Sequence, residues 1–265
     1  MSAEDLLKSG DLHGALDALQ ADVRKNASDP KLRIFLFQLL CVLGQWDRAL
    51  RQLKLCAELD PVAVPMAQAY REAIVCEAYR AHVFTGEKAP LVLGEPDAWL
   101  AQLIDALGLL ARGDVAAAAD QRAAAFDVAP ATSGTVDGVA FDWIADADMR
   151  FGPVLEVIVN GRYFWIPFAK ISSVTIEEPA DLRDAVWLPA EVVLENGGEV
   201  AALIPTRYPA TVTNGHAAEM LARATSWTDA GNGTFAGSGQ RLLATSNDDL
   251  PLMDIRQITL RAVDG

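Results

Sequence analysis

The sequence predicts an α+β protein of two unlike domains, tetratricopeptide-like helical repeats followed by a small, mostly β domain that forms a twisted sheet or a partly open barrel. Three observations predict it. Landmark residues of the first half recur after 34 positions, Gly10 to Gly44, and again 69 positions on, Gly44 to Gly113 and Pro61 to Pro130, with a degraded stretch between. Apolar residues there follow the 3.6-residue helical period, and from residue 152 onward short β-branched runs alternate with turn residues. The boundaries expected from these changes are a helical domain over 1–130, a linker over 131–138 and a mostly β domain over 139–265.

Gly10-Asp-Leu-His-Gly-Ala15-Leu16 is answered by Gly44-Gln-Trp-Asp-Arg-Ala49-Leu50, in the tetratricopeptide period. In such units glycine permits the sharp turn between two helices, alanine lets them approach closely, and a proline such as Pro61 stops the second. A third copy begins at Gly113-Asp-Val, places Ala118 and Ala125 at the small-residue positions and ends at Pro130. Between copies, Pro65 opens a long helix to about Phe84, a loop spans 86–96, and Asp97 caps a helix carrying Trp99, Leu103, Leu107 and Leu110.

Residues 131–138, small and polar, read as the linker, and 139–149 as a short helix with Asp142, Asp146 and Asp148 facing mostly outward. The strongest local signal follows. Residues 154–159 and 163–166 are apolar runs separated by Asn160-Gly161, the dipeptide of a type I′ turn, and closed by Pro167, which predicts a β-hairpin. Further strands are expected at 173–177, 190–194, 200–204, 240–245 and 255–261, with a helix over 216–224. The glycine-rich stretch 231–239 reads as a turn between strands, because no Lys-Ser or Lys-Thr of a phosphate-binding loop follows it.

The net charge of −14 argues against nucleic acid and against anionic membrane surfaces. The acidic start Met1-Ser-Ala-Glu-Asp lacks the features of an export signal, and no apolar run approaches the ~20 residues of a membrane span, so a soluble, cytoplasmic protein is expected. Cys41, Cys56 and Cys76 fall at inward helical positions and read as reduced thiols. His13, His82 and His216 have no partner at ligand spacing, and the aspartates at 142, 146 and 148 lack the register of a calcium loop, so no metal or cofactor is expected. No nucleophile elbow or zinc-protease motif is present, and the expectation is a protein without catalytic machinery.

Two surfaces remain as candidate sites. In tetratricopeptide stacks the first helix of each pair lines a concave groove suited to an amphipathic helix, which points to Lys31, Ile34, Gln38 and Cys41. The alternative is an enzyme or small-ligand site in the β domain, built from Asp146, Arg150, Arg207 and Arg241. Tyr163, Trp165, Trp187, Tyr208 and Trp227 accompany those arginines and are read as packing within the domain.

Residues 32–53 and 146–168, with Pro205-Thr-Arg-Tyr-Pro209, Thr225-Ser-Trp227 and 237–245, give the chain a resemblance to the ImpE family, also called TagJ or SciE. The block Gly-Pro-Val-Leu-Glu-Val-Ile-Val-Asn-Gly-Arg-Tyr, residues 152–163, is its most specific part. The resemblance implies a cytoplasmic, non-enzymatic accessory component of bacterial type VI secretion systems. It further implies binding to the N-terminal helix of the small sheath subunit and action alongside the ClpV-type AAA+ ATPase. It supplies no residue list for that contact.

Overall fold

The computed structural model describes residues 1–261. Its first half is helical: α1 (Ala3–Lys8), α2 (Leu12–Lys25), α3 (Pro30–Val42), α4 (Trp46–Leu59), α5 (Val64–Phe84), α6 (Ala98–Ala111) and α7 (Val115–Val128). The repeat landmarks are where the sequence places them. Gly10, Gly44 and Gly113 follow α1, α3 and α6 with φ of 83°, 65° and 86°, a conformation that glycine adopts without a Cβ penalty. Ala15, Ala49, Ala118 and Ala125 are buried at the close approaches between helices. Among the described residues no helix is long and apolar enough to cross a membrane.

The second half comprises β1 (Gly134–Val136), β2 (Val139–Phe141), β3 (Ile144–Asp146), β4 (Val154–Val159), β5 (Arg162–Pro167), β6 (Ile171–Ile176), β7 (Trp187–Leu194) and β8 (Glu199–Pro205). Two single-turn helices, α8 (Thr211–Asn214) and α9 (Ala217–Met220), precede β9 (Thr225–Asp229), β10 (Phe235–Gly239), β11 (Leu242–Thr245), β12 (Asp249–Pro251) and β13 (Gln257–Leu260). Eight strands form one antiparallel sheet in the order β2-β1-β13-β6-β7-β8-β4-β5, while β12-β11-β3 and β10-β9 form separate sheets. The sheet ends at β2 and β5 and does not close into a barrel. The predicted hairpin is β4–β5, paired from Val154↔Pro167 to Val159↔Arg162. Asn160 and Gly161, at φ 49° and 68°, make its turn.

Three local expectations are corrected. Residues 139–149 form β2 and β3, not a helix, and only Asp142 of its three aspartates is exposed, since Asp146 and Asp148 are buried. The stretch read as a linker contains β1 and the Asp137-Gly138 turn, at φ 48° and 84°. That pair is a hairpin dipeptide, and it binds β1 to β2 and, through β1, to β13. The helix expected over 216–224 is confined to the single turn α9, opened by a capping box of His216 and Glu219.

The two faces of the large sheet bury two cores. Alternation along β4 sends Leu155 and Val157 to one side, where they meet Ile166, Val174, Val192, Ile204 and, from the small sheet, Leu243. Val154 and Ile158 point the other way into a core shared with Leu19, Phe37, Leu40, Ile74 and Leu103 of the helices. Aromatic rings bridge the halves, with Trp187 5.8 Å from both Tyr70 and Trp46, and Phe151 5.3 Å from Phe84. A fully buried phenylalanine such as Phe151 contributes about 3 kcal/mol.

Candidate functional site

The helix-facing side of β4 carries one carboxylate between Val154 and Ile158. Glu156 is fully buried, and it receives two hydrogen bonds from Arg80 of α5, Nε to Oε1 at 2.6 Å and Nη2 to Oε2 at 2.7 Å. The helical spacing of α5 brings Glu77 to the same guanidinium at 3.3 Å, where it also accepts from Trp187 Nε1 at 3.0 Å. On the other side of Glu156, Arg241 donates to both Glu156 and Asp146. Asp146 also accepts from the Tyr208 hydroxyl at 3.0 Å and from the Asp148 amide at 2.8 Å. The Tyr163 hydroxyl donates to Glu156 and accepts from Trp165 Nε1 at 2.8 Å.

Arg207 extends this seam into the helical stack. Its Nη1 donates to the carbonyls of Val42, at 2.8 Å, and Met220, at 2.6 Å, while its own carbonyl accepts from Arg80 at 2.8 Å. Glu77, Asp146 and Glu156 thus balance Arg80, Arg207 and Arg241 in number. Such a buried set holds its geometry because removing any member strands a charge in a poor solvent, at a cost of about 3–5 kcal/mol.

Burial dominates the titration of the seam. It pushes Asp146 up to about 7 against the pull of Arg241, with the neighbouring Asp148 and Glu156 carboxylates adding to the rise. It would lower Arg80, but Glu156 and Glu77 hold that guanidinium above its ordinary value. Arg207, satisfied by carbonyls, is lowered to about 10. These side chains are consumed by one another, so the arrangement acts as a clamp between the halves.

An open, apolar concavity lies beside the clamp. The C-terminal end of α7 and the segment after it supply Phe126, Ala129 and Pro130, while β3 and its flanks supply Trp143, Met149 and Pro153, around a groove of about 360 Å³. Gly152, at φ 63°, lets the chain pass under Phe126, for a Cβ there would stand 2.3 Å from that ring. Trp143 is 42% exposed and Val128 66%. The apolar surface reaches the β9–β10 hairpin, where the Phe235 amide lies 3.5 Å from the sulfur of Met149.

Comparisons with known proteins agree with the sheet-bearing half and with the whole. The model of a family described as ImpE protein matches residues 138–259. The type VI secretion system accessory component TagJ of Pseudomonas aeruginosa is 51% identical over 265 residues, which span all of this chain and 93% of that one. The chain belongs to the ImpE family. A crystal structure of a Vibrio parahaemolyticus protein shares the fold, with a TM-score of 0.86 and 24% identity over 98% of this chain and 97% of that one. The ImpE match contains Asp146, Glu156, Arg207 and Arg241, four members of the clamp, and most of the groove wall.

The sequence-predicted residues separate on this frame. Lys31 is exposed and Ile34 half-buried, but Gln38 is only 5% exposed and Cys41 not at all. The concave face of α3 is filled by the β half, whose Arg207 caps the carbonyl end of that helix. Among the described residues, Gln38 and Cys41 therefore line no open groove. Asp146 and Arg241 meet directly, Arg150 turns to Asp148 with Nε at 2.9 Å from Oδ1, and Arg207 joins the seam through its backbone. Arg80, Glu77 and Glu156 were not singled out from the sequence. The available signal was Glu156 itself, a lone carboxylate in a run otherwise fit for complete burial, which demands a buried cation.

Proposed function

We propose that this chain is a non-enzymatic adaptor of a type VI secretion system, acting in the cytoplasm. In this reading its α7–β3 groove takes a helical segment of the small sheath subunit, and it works alongside the ClpV-type ATPase that disassembles the contracted sheath. The accessory role follows from membership of the ImpE family and from the TagJ relative. The observation that carries the docking site is the apolar lining of the groove beside Trp143, Phe126, Pro130, Met149 and Pro153, while the repeat stack's concave face is taken up by the protein's own β half. A groove of this size and lining accepts the apolar anchors of one helix face.

Calorimetric titration with a peptide copying the N-terminal helix of the cognate small sheath subunit tests it. Saturable binding is expected. Trp143→Asp weakens it by about tenfold or more, the loss typical of an aromatic anchor, and Lys31→Glu leaves it unchanged. Sensitivity to Lys31→Glu alone moves the site to α3. Absence of binding to both peptide and intact subunit overturns the adaptor reading.

A further inference from the structure

The rim of the same groove carries a charge pattern that specifies its occupant. Four exposed aspartates neighbour the residues of the apolar floor along the chain or across a strand pair: Asp127 next to Phe126, Asp142 next to Trp143, and Asp248 and Asp249 on the turn and strand that follow Ala244. Asp249 pairs in register with Ala244, and Asp248 accepts through its carbonyl from Thr245, which fixes that turn against the groove. The described ion pairs do not involve any of the four. The arginines on the flanking segments are turned inward, Arg122 buried and Arg150 held by Asp148.

From this arrangement we infer that the groove selects a cationic amphipathic helix, with apolar side chains seated under Trp143 and Lys or Arg on both flanks facing the aspartates. Apolar contact supplies the seat, and the carboxylate rim supplies selection and faster encounter. A second copy of this chain does not fit, because its own net charge of −14 opposes the rim. The inference deepens the adaptor reading and rests on its choice of groove. It names the chemistry by which the correct segment is told from other apolar helices.

Two designed helices of about 18 residues, with the same Leu and Trp face and polar positions all Lys in one and all Glu in the other, separate the terms. Each is titrated into the full chain at about 50 and about 300 mM salt, since exposed pairs are screened over that range. The Lys helix is expected to bind saturably, to lose about tenfold in affinity at the higher salt, and to lose a similar factor in the variant D127N/D142N/D248N/D249N. The Glu helix is expected not to bind. Equal binding of the two helices, absence of binding by the Lys helix, or Lys-helix binding indifferent to the four substitutions or to Trp143→Asp overturns the inference. Salt dependence of the unaltered protein provides an independent reading should the variant misfold. If the sheath peptide binds in a Trp143-dependent way yet ignores the aspartates, the adaptor reading stands and the charge selection falls. If the Lys helix binds and the sheath peptide does not, the reverse holds.

Discussion

A carboxyl group whose folded pKa is about 7, against an ordinary 3.8, links stability to pH in one direction. For Asp146 the unfolded chain gives up its proton near pH 4 and the folded chain near pH 7. The stabilising contribution of the bound proton is therefore complete below about pH 4 and is lost as pH rises through 7. Asp146→Asn keeps the shape of the side chain, including an oxygen for Tyr208, and removes the titration. The melting temperature of the unaltered protein should fall between pH 4 and pH 7 more than that of the variant, and the two should run parallel above it. Identical profiles would mean that Asp146 is ionised throughout. The side chains facing Asp146, namely Arg241, Tyr208, Asp148 and Glu156, come from separate positions along the chain, so the sequence shows each residue but not their meeting. Asp148 illustrates the difficulty. Within Asp-Ala-Asp it reads as a solvated carboxylate, yet it is completely buried because Arg150 and the Gly237 amide satisfy it.

At the scale of elements, turns were more legible than the short strands they join. Asn160-Gly161 announces its hairpin because the flanking runs are six residues long; Asp137-Gly138 makes the same kind of turn, but β1 and β2 have three residues each, too few for a period of two to appear. The 34-residue repeat was readable because its glycines answer a local backbone demand. The filling of the concave groove was not, since it depends on where a distant β half docks. Gly152 marks that docking. Its φ of 63° and the 2.3 Å approach to Phe126 combine two penalties, whereas Gly197, at φ 81°, has nothing within 4 Å of the position a Cβ would take. Gly197→Ala should cost about 1 kcal/mol from backbone strain alone, and Gly152→Ala about 3 kcal/mol or more, because α7 must move from β4. Urea denaturation measures both. Equal losses would show that the contact between α7 and the segment preceding β4 is slack.

At the scale of the molecule, the halves are distinct in period and composition yet share one interior. Phe37, Leu40 and Ile74 of the helices lie in the same cluster as Val154, Trp165 and Trp187 of the sheet, and the Arg80–Glu156 pair crosses it. A helical repeat stack cut from its sheet would expose that apolar face together with Arg80, left with Glu77 alone as its carboxylate partner; the sheet alone would retain Glu156 and Arg241 on a wet surface. Each half should therefore be unable to reach its native fold alone, and unfolding of the whole chain should be a single event. The test follows helix content by far-ultraviolet circular dichroism and the surroundings of tryptophan by fluorescence during urea unfolding. The buried tryptophans lie in both halves, at Trp99 and at Trp165 and Trp187. The two signals should coincide. Arg80→Ala, which leaves Glu156 buried beside an absent partner, should shift both together by about 3–5 kcal/mol. Separate transitions, or a shift confined to one signal, would show that the clamp only touches the two halves without joining their stability. A joined interior suits a docking surface built from both: the groove wall takes Phe126 from the helices and Trp143 from the sheet side, and keeps its width only if neither half moves against the other.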